Sequence, residues 1–134
     1  MTAEPAATWF RCAFCGLANG LAARYGGPLY LVGSALWLSE PNDFDVRVVL
    51  SEHDADRLFG EVKPVEWIDG IPIQPQWMRI LREELKQGRR AARVLGVNVD
   101  FQFQSFERFI RQDGPRLRLD SHPKFFFLAG MTDA

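Results

Sequence analysis

Cysteine and histidine, which build disulfide frameworks and zinc sites, are scarce in this chain. The long apolar runs that form membrane spans are absent from it. It contains two cysteines and two histidines among 134 residues. Two cysteines are too few for the disulfide framework of a small secreted domain, and a structural zinc ion needs four ligands. No apolar run approaches the roughly 20 residues of a membrane-spanning helix. We therefore expect no membrane association, no export signal and a cytoplasmic location.

The two cysteines, Cys12 and Cys15, form a Cys-x-x-Cys. Only His53 and His122 could complete a zinc site, and their spacing follows no zinc-finger pattern. Because the pair lies within a predicted helix, we expect both cysteines to be buried there and to carry neither metal nor redox chemistry. His53 is expected to be a surface residue at the start of a helix.

A strong excess of charge of either sign is also absent. The formal net charge is -1, which excludes a strongly basic protein that coats nucleic acid. Hydrophobic residues make up 47% of the chain, which is enough for one domain covering residues 1–134 with a core of its own.

Polar and apolar side chains alternate along residues 43–50. Asp43, Asp45 and Arg47 occupy every second position, and the residues between them are apolar. This pattern indicates a strand with one buried face. Positions i and i+2 of a strand lie about 6.6 Å apart, so the two carboxylates can bracket divalent metal ions held roughly 3.5–4 Å from each other.

Residues 97–104 repeat this alternation. The polar positions are Asn98, Asp100, Gln102 and Gln104, and the apolar ones are Val97, Val99, Phe101 and Phe103. If this strand lies beside the first, about 4.8 Å away, Asp100 joins the acidic pair on the polar face. The apolar sides of both strands then share one helix-covered core.

Gly33 and Ser34 end the apolar run 29–32. A residue without a side chain lets a phosphate approach the backbone closely, and the Ser34 hydroxyl can donate a hydrogen bond to a phosphate oxygen. Mg²⁺ prefers oxygen ligands and usually takes one or two carboxylates plus substrate phosphate oxygens. Carboxylates beside a Gly-Ser turn therefore favour a nucleotide site over a zinc site.

This order of strand, Gly-Ser, short spacer, Asp-apolar-Asp and a late single Asp resembles the nucleotidyltransferase superfamily. That superfamily includes DNA polymerase beta, the CCA-adding enzymes and the small antibiotic nucleotidyltransferases, and the resemblance covers residues 29–104. It implies an α+β domain whose small mixed β-sheet packs on helices, with one face open. It also implies metal-dependent transfer of a nucleoside monophosphate from an NTP, such as ATP, to an acceptor hydroxyl, with release of pyrophosphate.

The resemblance implies roles for five residues. Asp43 and Asp45 would bind two Mg²⁺ or Mn²⁺ ions, and Asp100 would be the third carboxylate, which shares the second ion and helps to deprotonate the acceptor. Gly33 and Ser34 would position the phosphates. The acceptor can be a nucleic acid, a protein or a small molecule.

Other interpretations of the same residues stay open. Arg47 can bind phosphate or only neutralise the acidic pair, and that pair can be a solvated surface. The fold can serve as a non-catalytic interaction subunit of a toxin-antitoxin or phage-encoded pair. The arginines of residues 79–93 and 108–118 can instead make a nucleic-acid-binding module. Because most superfamily members carry a further domain, a homodimer or a partner protein is the candidate for completing the cleft.

Helices are predicted around these strands. Residues 6–25 have an apolar stripe, and Ser51 begins a short helix that ends before Gly60. Residues 76–95 form the longest predicted helix, which Gly88 can bend or break. The stripe of the first helix contains Phe10, Phe14, Leu17 and Leu21; that of the longest contains Trp77, Ile80, Leu81, Leu85, Ala92 and Leu95.

The remaining segments give weaker predictions. Residues 64–75 are Pro-rich and are predicted to be irregular or an edge hairpin, with Trp67 and Ile68 tucked inward. Residues 106–110 are predicted to be a short helix, 113–115 a turn, and 116–119 an edge strand. The apolar residues 124–128 are expected to cover the core or a dimer interface.

Overall fold

The computed structural model of the protein describes residues 4–112 and 114–121. Its helices are α1 (Ala7–Tyr25), α2 (Glu52–Phe59), α3 (Pro75–Leu95) and α4 (Phe106–Arg111), with a 3-10 helix at Ser34–Leu36. Its strands are β1 (Leu29–Val32), β2 (Phe44–Leu50), β3 (Glu66–Ile68), β4 (Ile71–Ile73), β5 (Val99–Ser105) and β6 (Leu117–Arg118). The protein is therefore an α+β fold, as predicted.

Four strands form the main sheet, in the order β5-β2-β1-β6, and β3 and β4 form a separate two-stranded hairpin. Strand β2 runs parallel to β5 and antiparallel to β1, so the sheet is mixed. The prediction that the two acidic strands are neighbours is confirmed. Their register places Asp45 opposite Asp100.

Helix α1 packs on the apolar face of this sheet with the predicted stripe. Phe10 and Phe14 are fully buried, and the ring of Phe10 stacks on that of Phe44, with 4.4 Å between the centroids. Alternate residues of β2 belong to the same core, as period-two patterning requires: Phe44, Val46, Val48 and Leu50. Burial of these side chains holds Asp45 and Arg47 on the opposite face.

The opposite face carries α4. Phe109 packs there against Tyr30 and Val49, forming a second, smaller apolar cluster. The chain then returns to the sheet at β6, which pairs with β1 at the edge of the sheet. The predicted edge strand is confirmed, although only Leu117–Arg118 forms it. Residues 124–128 lie outside the described residues, as does Asp113 of the predicted turn.

Helix α3 is continuous through Gly88. A Cβ at that position would stand 3.1 Å from the carbonyl oxygen of Val99, so the absence of a side chain lets the helix approach β5 closely. The predicted apolar stripe is partly wrong, since Trp77, Leu81 and Leu85 are exposed. The buried residues of the helix are instead Gln76, Gln87, Gly88 and Ala91, while Ile80 and Leu95 of the predicted stripe are partly buried against the core.

Two further predictions of burial are wrong. Cys12 and Cys15 are exposed, because α1 buries the face that carries Phe10 and Phe14, and the cysteines lie on the other side. Trp67 is 70% exposed, because the hairpin pairs only with itself and is not part of the main sheet.

The remaining helices follow the sequence pattern. Ser51 accepts a hydrogen bond from the backbone N–H of Asp54 and so caps α2, and His53 is exposed as expected. In the described part of the chain, no helix combines the length and apolar character needed to cross a membrane.

Candidate functional site

The two strand-borne aspartates face each other across the junction of β2 and β5. Asp45 pairs with Asp100 in the parallel register, and both lie on the polar face of the sheet. Asp43 precedes β2 and is exposed, and its negative charge still acts on Asp45. The structure therefore brings Asp45 and Asp100 together and leaves Asp43 at the open end of the strand.

The environment of Asp45 opposes its ionisation. Burial raises the pKa of the Asp45 carboxyl above its usual range, and the negative charges of Asp100 and Asp43 raise it further. The positive charge of Arg47 acts in the opposite direction without cancelling these effects. A bound cation would relieve this imbalance, since it favours the ionised form of each carboxylate.

Asp100 is held by two neighbours. The side-chain amide of Gln102 donates to both carboxylate oxygens, at 3.2 and 3.3 Å. The Arg47 guanidinium lies 3.7 Å from the same carboxylate and also donates to the main-chain oxygens of Val46 and Asp100. Arg47 thus neutralises part of the acidic charge and joins the two strands. Phosphate binding by Arg47 stays a prediction.

Gly33 lies directly against Asp45. Its backbone has φ 81° and ψ -160°, a conformation that is essentially restricted to glycine. A Cβ there would stand 2.3 Å from Oδ2 of Asp45. Ser34 follows and begins the 3-10 helix. The Gly-Ser turn therefore adjoins the acidic pair, as a phosphate-binding role requires.

The donor set suits a hard divalent cation. Within residues 4–112 and 114–121, the side chains as they stand form no group of three His, Cys, Asp or Glu that could hold a metal ion. Mg²⁺ usually needs only one or two carboxylates, because water and phosphate oxygens fill its other positions. Asp45 and Asp100 can supply these two, with Asp43 nearest to join them.

A cavity of about 330 Å³ opens beside Gly33, within the range of roughly 300–1,000 Å³ typical of small-molecule sites. It lies between the ends of β1 and β2 and the segment after α4. The lining residues that carry polar, charged or aromatic groups include Trp37, Asp45, Arg47, Phe109, Gln112 and Arg116. Of the acidic pair, Asp45 lines this cavity, whereas Asp100 lines a separate, smaller one together with Glu84.

Sequence reasoning missed Arg116, because only the return of the chain from α4 to β6 brings it beside Gly33. It also missed Trp37, which follows the 3-10 helix that begins after Gly33. It also missed Glu84 of α3, whose carboxylate accepts a hydrogen bond of 2.9 Å from the backbone N–H of Phe103. Burial raises the pKa of Glu84, and the charge of Asp100 adds to the effect. Its position among arginines on a helix gave no signal of this contact.

A larger cavity, of about 420 Å³, lies at the opposite ends of β2 and β5. Its walls are mostly apolar and include Leu50, Phe59, Ile80 and Phe103. Its charged lining residues are Glu52 and Glu107, and its lining includes no arginine or lysine that could pair with a phosphate. We therefore take the smaller cavity as the candidate site.

Comparison of the chain with protein-family models, with curated proteins and with solved structures finds no match. The geometry of the site is therefore the basis for the function proposed below.

Proposed function

We propose that the protein is a metal-dependent nucleotidyltransferase that transfers a nucleoside monophosphate from an NTP to an acceptor hydroxyl. The observation that carries this proposal is the pairing of Asp45 with Asp100 in adjacent parallel strands, with the backbone of Gly33 packed on Asp45. Carboxylates and the Gly-Ser turn are thus gathered at one place. Their order along the chain is the one that the superfamily resemblance implies.

Each residue has a distinct part in this chemistry. Asp45 and Asp100, with Asp43 at the open end of the strand, would hold the cations that bind the triphosphate, and Gly33 and Ser34 would receive its outer phosphates. When bound, the two Mg²⁺ ions supply charge stabilisation to the attacking and leaving oxygens. Asp100 accepts the proton of the acceptor hydroxyl as the oxygen attacks the alpha phosphorus, and pyrophosphate leaves with the bonding electron pair.

The contacts of Asp100 fit this role. The amide of Gln102 fixes the orientation of the carboxylate, and the Arg47 guanidinium lies 3.7 Å from it. A base must be correctly oriented before it can accept a proton. Gln102 and Arg47 are therefore positioning residues for Asp100.

The proposal is tested by nucleotide binding and transfer. Calorimetry with Mn²⁺ and a non-hydrolysable NTP is expected to show metal-dependent binding to the wild type and loss of that binding in Asp45→Asn. Asp69→Asn is the matched control, because Asp69 lies on the exposed hairpin, between β3 and β4. Transfer is then measured with α-labelled NTPs and Mg²⁺, offering RNA, DNA and protein fractions as acceptors. Equal binding by wild type and Asp45→Asn contradicts the proposal.

A non-catalytic interaction subunit is the second candidate, and the exposed hairpin favours it. Trp67, Ile68 and Ile71 are each more than half exposed there, and exposed apolar groups of this size often mark protein contacts. A wild-type protein that binds neither Mn²⁺ nor NTP would support this function over the first. Steep weakening of nucleic-acid binding with salt would instead favour a nucleic-acid-binding module.

A further inference from the structure

We propose that Arg116 binds the terminal phosphates of the NTP in the cavity beside Gly33. This inference rests on the proposed function and deepens it, since it identifies a substrate-binding residue outside the strands that carry the carboxylates. Arg116 lies between α4 and β6 and lines the same cavity as Gly33, Asp45 and Arg47.

The Arg116 guanidinium is held in place before any ligand arrives. Its Cζ lies 3.8 Å from the centroid of the Phe109 ring. Nη2 donates to the main-chain oxygen of Phe109 at 2.6 Å and also to that of Gln112. A stacked guanidinium bound to two carbonyls loses little conformational freedom when it binds a ligand, which favours affinity.

These contacts leave donor capacity in the guanidinium. Arginine has five N–H donors in a planar fork, and both carbonyl contacts use the single nitrogen Nη2. Within residues 4–112 and 114–121, the ion pairs formed by arginine do not include Arg116. Its charge is therefore not neutralised by a carboxylate in the described part of the chain.

The charges of the cavity favour a polyanion. Arg47 on β2 and Arg116 after α4 contribute two positive charges, and Asp45 is the carboxylate that faces them. Asp45 is also the residue proposed to hold metal ions, which would add further positive charge. Charge-assisted pairs between a guanidinium fork and phosphate are among the strong hydrogen bonds of proteins.

The position of Arg116 indicates which phosphates it contacts. The reacting alpha phosphate must lie near Asp45 and Asp100, where the acceptor oxygen is deprotonated. Arg116 lines the same cavity as Asp45 but not the neighbouring cavity that Asp100 lines. The beta and gamma phosphates are therefore the groups that reach Arg116.

The test compares ligands that differ in their phosphates. Calorimetry with Mn²⁺ is performed on a non-hydrolysable NTP, on the matching nucleoside monophosphate and on inorganic triphosphate. Arg116→Gln is expected to weaken binding of the NTP and of inorganic triphosphate about 10- to 100-fold, since charge-assisted hydrogen bonds are lost. Binding of the monophosphate is expected to change less than about twofold, because it lacks the outer phosphates.

Arg111→Gln is the control, since Arg111 is exposed at the end of α4. Arg116→Lys keeps the positive charge without the fork and is expected to recover part of the triphosphate affinity. This variant also keeps the test decisive if Arg116→Gln lowers the melting temperature. If Arg116→Lys weakens binding of the monophosphate as much as binding of the NTP, the inference is contradicted.

The two proposals fail in different ways. Suppose that Arg116→Gln binds triphosphate as tightly as the wild type does, while Asp45→Asn no longer binds NTP. This result would overturn the role of Arg116 and leave the proposed function intact. Absence of metal-dependent NTP binding in the wild type would overturn the proposed function itself. Binding of inorganic triphosphate alone, lost in Arg116→Gln, would identify the cavity as an anion site without nucleotidyl transfer.

Discussion

The backbone of Gly33 and the carboxylate of Asp45 are in such close contact that a side chain at position 33 would have to displace that carboxylate. A Cβ there would stand 2.3 Å from Oδ2 of Asp45, and the φ of 81° is itself unfavourable for a side chain. The position of the Asp45 carboxylate on β2 therefore depends on the absence of a side chain at Gly33 in the preceding turn.

We predict that Gly33→Ala lowers the free energy of unfolding by about 1–3 kcal/mol. The backbone conformation becomes strained, and the added methyl group displaces the Asp45 carboxylate. Urea unfolding measures the loss, and Mn²⁺ binding measures the displacement. Gly96→Ala is the control: it also has positive φ, but a Cβ there meets no atom within 4 Å. A Gly33→Ala protein with the stability of Gly96→Ala and normal Mn²⁺ binding would refute this account.

Removal of the Asp45 charge is expected to stabilise the folded protein. Because burial raises the pKa of Asp45, the folded state binds its proton more tightly than the unfolded state. Stability therefore falls as pH rises through the interval between the ordinary and the raised pKa, and it stays lower above that interval. Asp45→Asn should be more stable than wild type at neutral pH and equal to it in acid.

The gain should stay under about 1 kcal/mol, because solvent screens a partly exposed charge. Thermal unfolding at neutral and acidic pH measures it. Added Mn²⁺ should reverse the order, since an ion that binds only the folded wild type stabilises that protein alone. If the wild type is more stable than Asp45→Asn at neutral pH without metal, the Asp45 charge does not destabilise the folded protein.

The sequence predicted the acidic face because period-two alternation is a local property. Asp45 alternates with buried residues, and so does Asp100, whatever surrounds the two strands. Their register is not local, since it depends on the parallel pairing that α3 permits by packing closely on β5. The sequence therefore identified the two carboxylates, and the fold showed that they stand opposite each other.

Helix α3 shows where a pattern misleads. Trp77, Leu81 and Leu85 follow helical spacing, yet they are exposed, while Gly88 and Ala91 are buried. Large apolar side chains indicate a buried face only when the partner surface has room for them. The close approach of α3 to β5 at Gly88 leaves no room for a large side chain there, and this approach is a property of the tertiary structure.

The ion pair between Arg118 and Asp120 is expected to make a large contribution to stability. Nε and Nη2 of Arg118 donate to the two carboxylate oxygens of Asp120 at 2.6 and 2.9 Å, and the backbone N–H of Leu29 also donates to this carboxylate. The Asp120 side chain is 0% exposed. Asp120→Ala should therefore lower the free energy of unfolding by about 3–5 kcal/mol, because it removes the carboxylate that pairs with a buried guanidinium.

Urea unfolding compares this variant with Arg57→Gln. Arg57 pairs with Asp54 at 3.5 Å, and the arginine side chain is 52% exposed, so its loss should cost less than about 1 kcal/mol. Similar losses in the two variants would show that the buried pair does not hold the edge of the sheet.

Tyr25 and Glu83 connect α1 to α3 through a hydrogen bond that depends on pH. The phenol donates to Oε1 of Glu83 at 2.5 Å, and Gln87 and Arg24 approach the same oxygen. Burial alone would raise the pKa of Glu83, but these donors and nearby positive charge outweigh it and lower the pKa. The resulting stability is present above the ordinary glutamate pKa and is lost as pH falls through the lowered value.

Tyr25→Phe keeps the buried ring and removes the donor. It should lower the free energy of unfolding by about 1.5–3 kcal/mol at neutral pH, as expected for a hydrogen bond to a charged group. The difference from wild type should shrink in acid, where Glu83 becomes protonated. Arg24→Gln is the control and should cost under about 1 kcal/mol, because Arg24 is half exposed.

Alkaline pH provides a second measurement of the same contact. Burial, together with the hydrogen bond to Glu83, raises the pKa of Tyr25, so the folded phenol keeps its proton when the unfolded one has lost it. Wild-type stability should therefore fall as pH rises above the ordinary tyrosine pKa of about 10. Tyr25→Phe should lack this part of the fall. Parallel stability curves for the two proteins in acid and in alkali would show that the phenol and the carboxylate are not coupled.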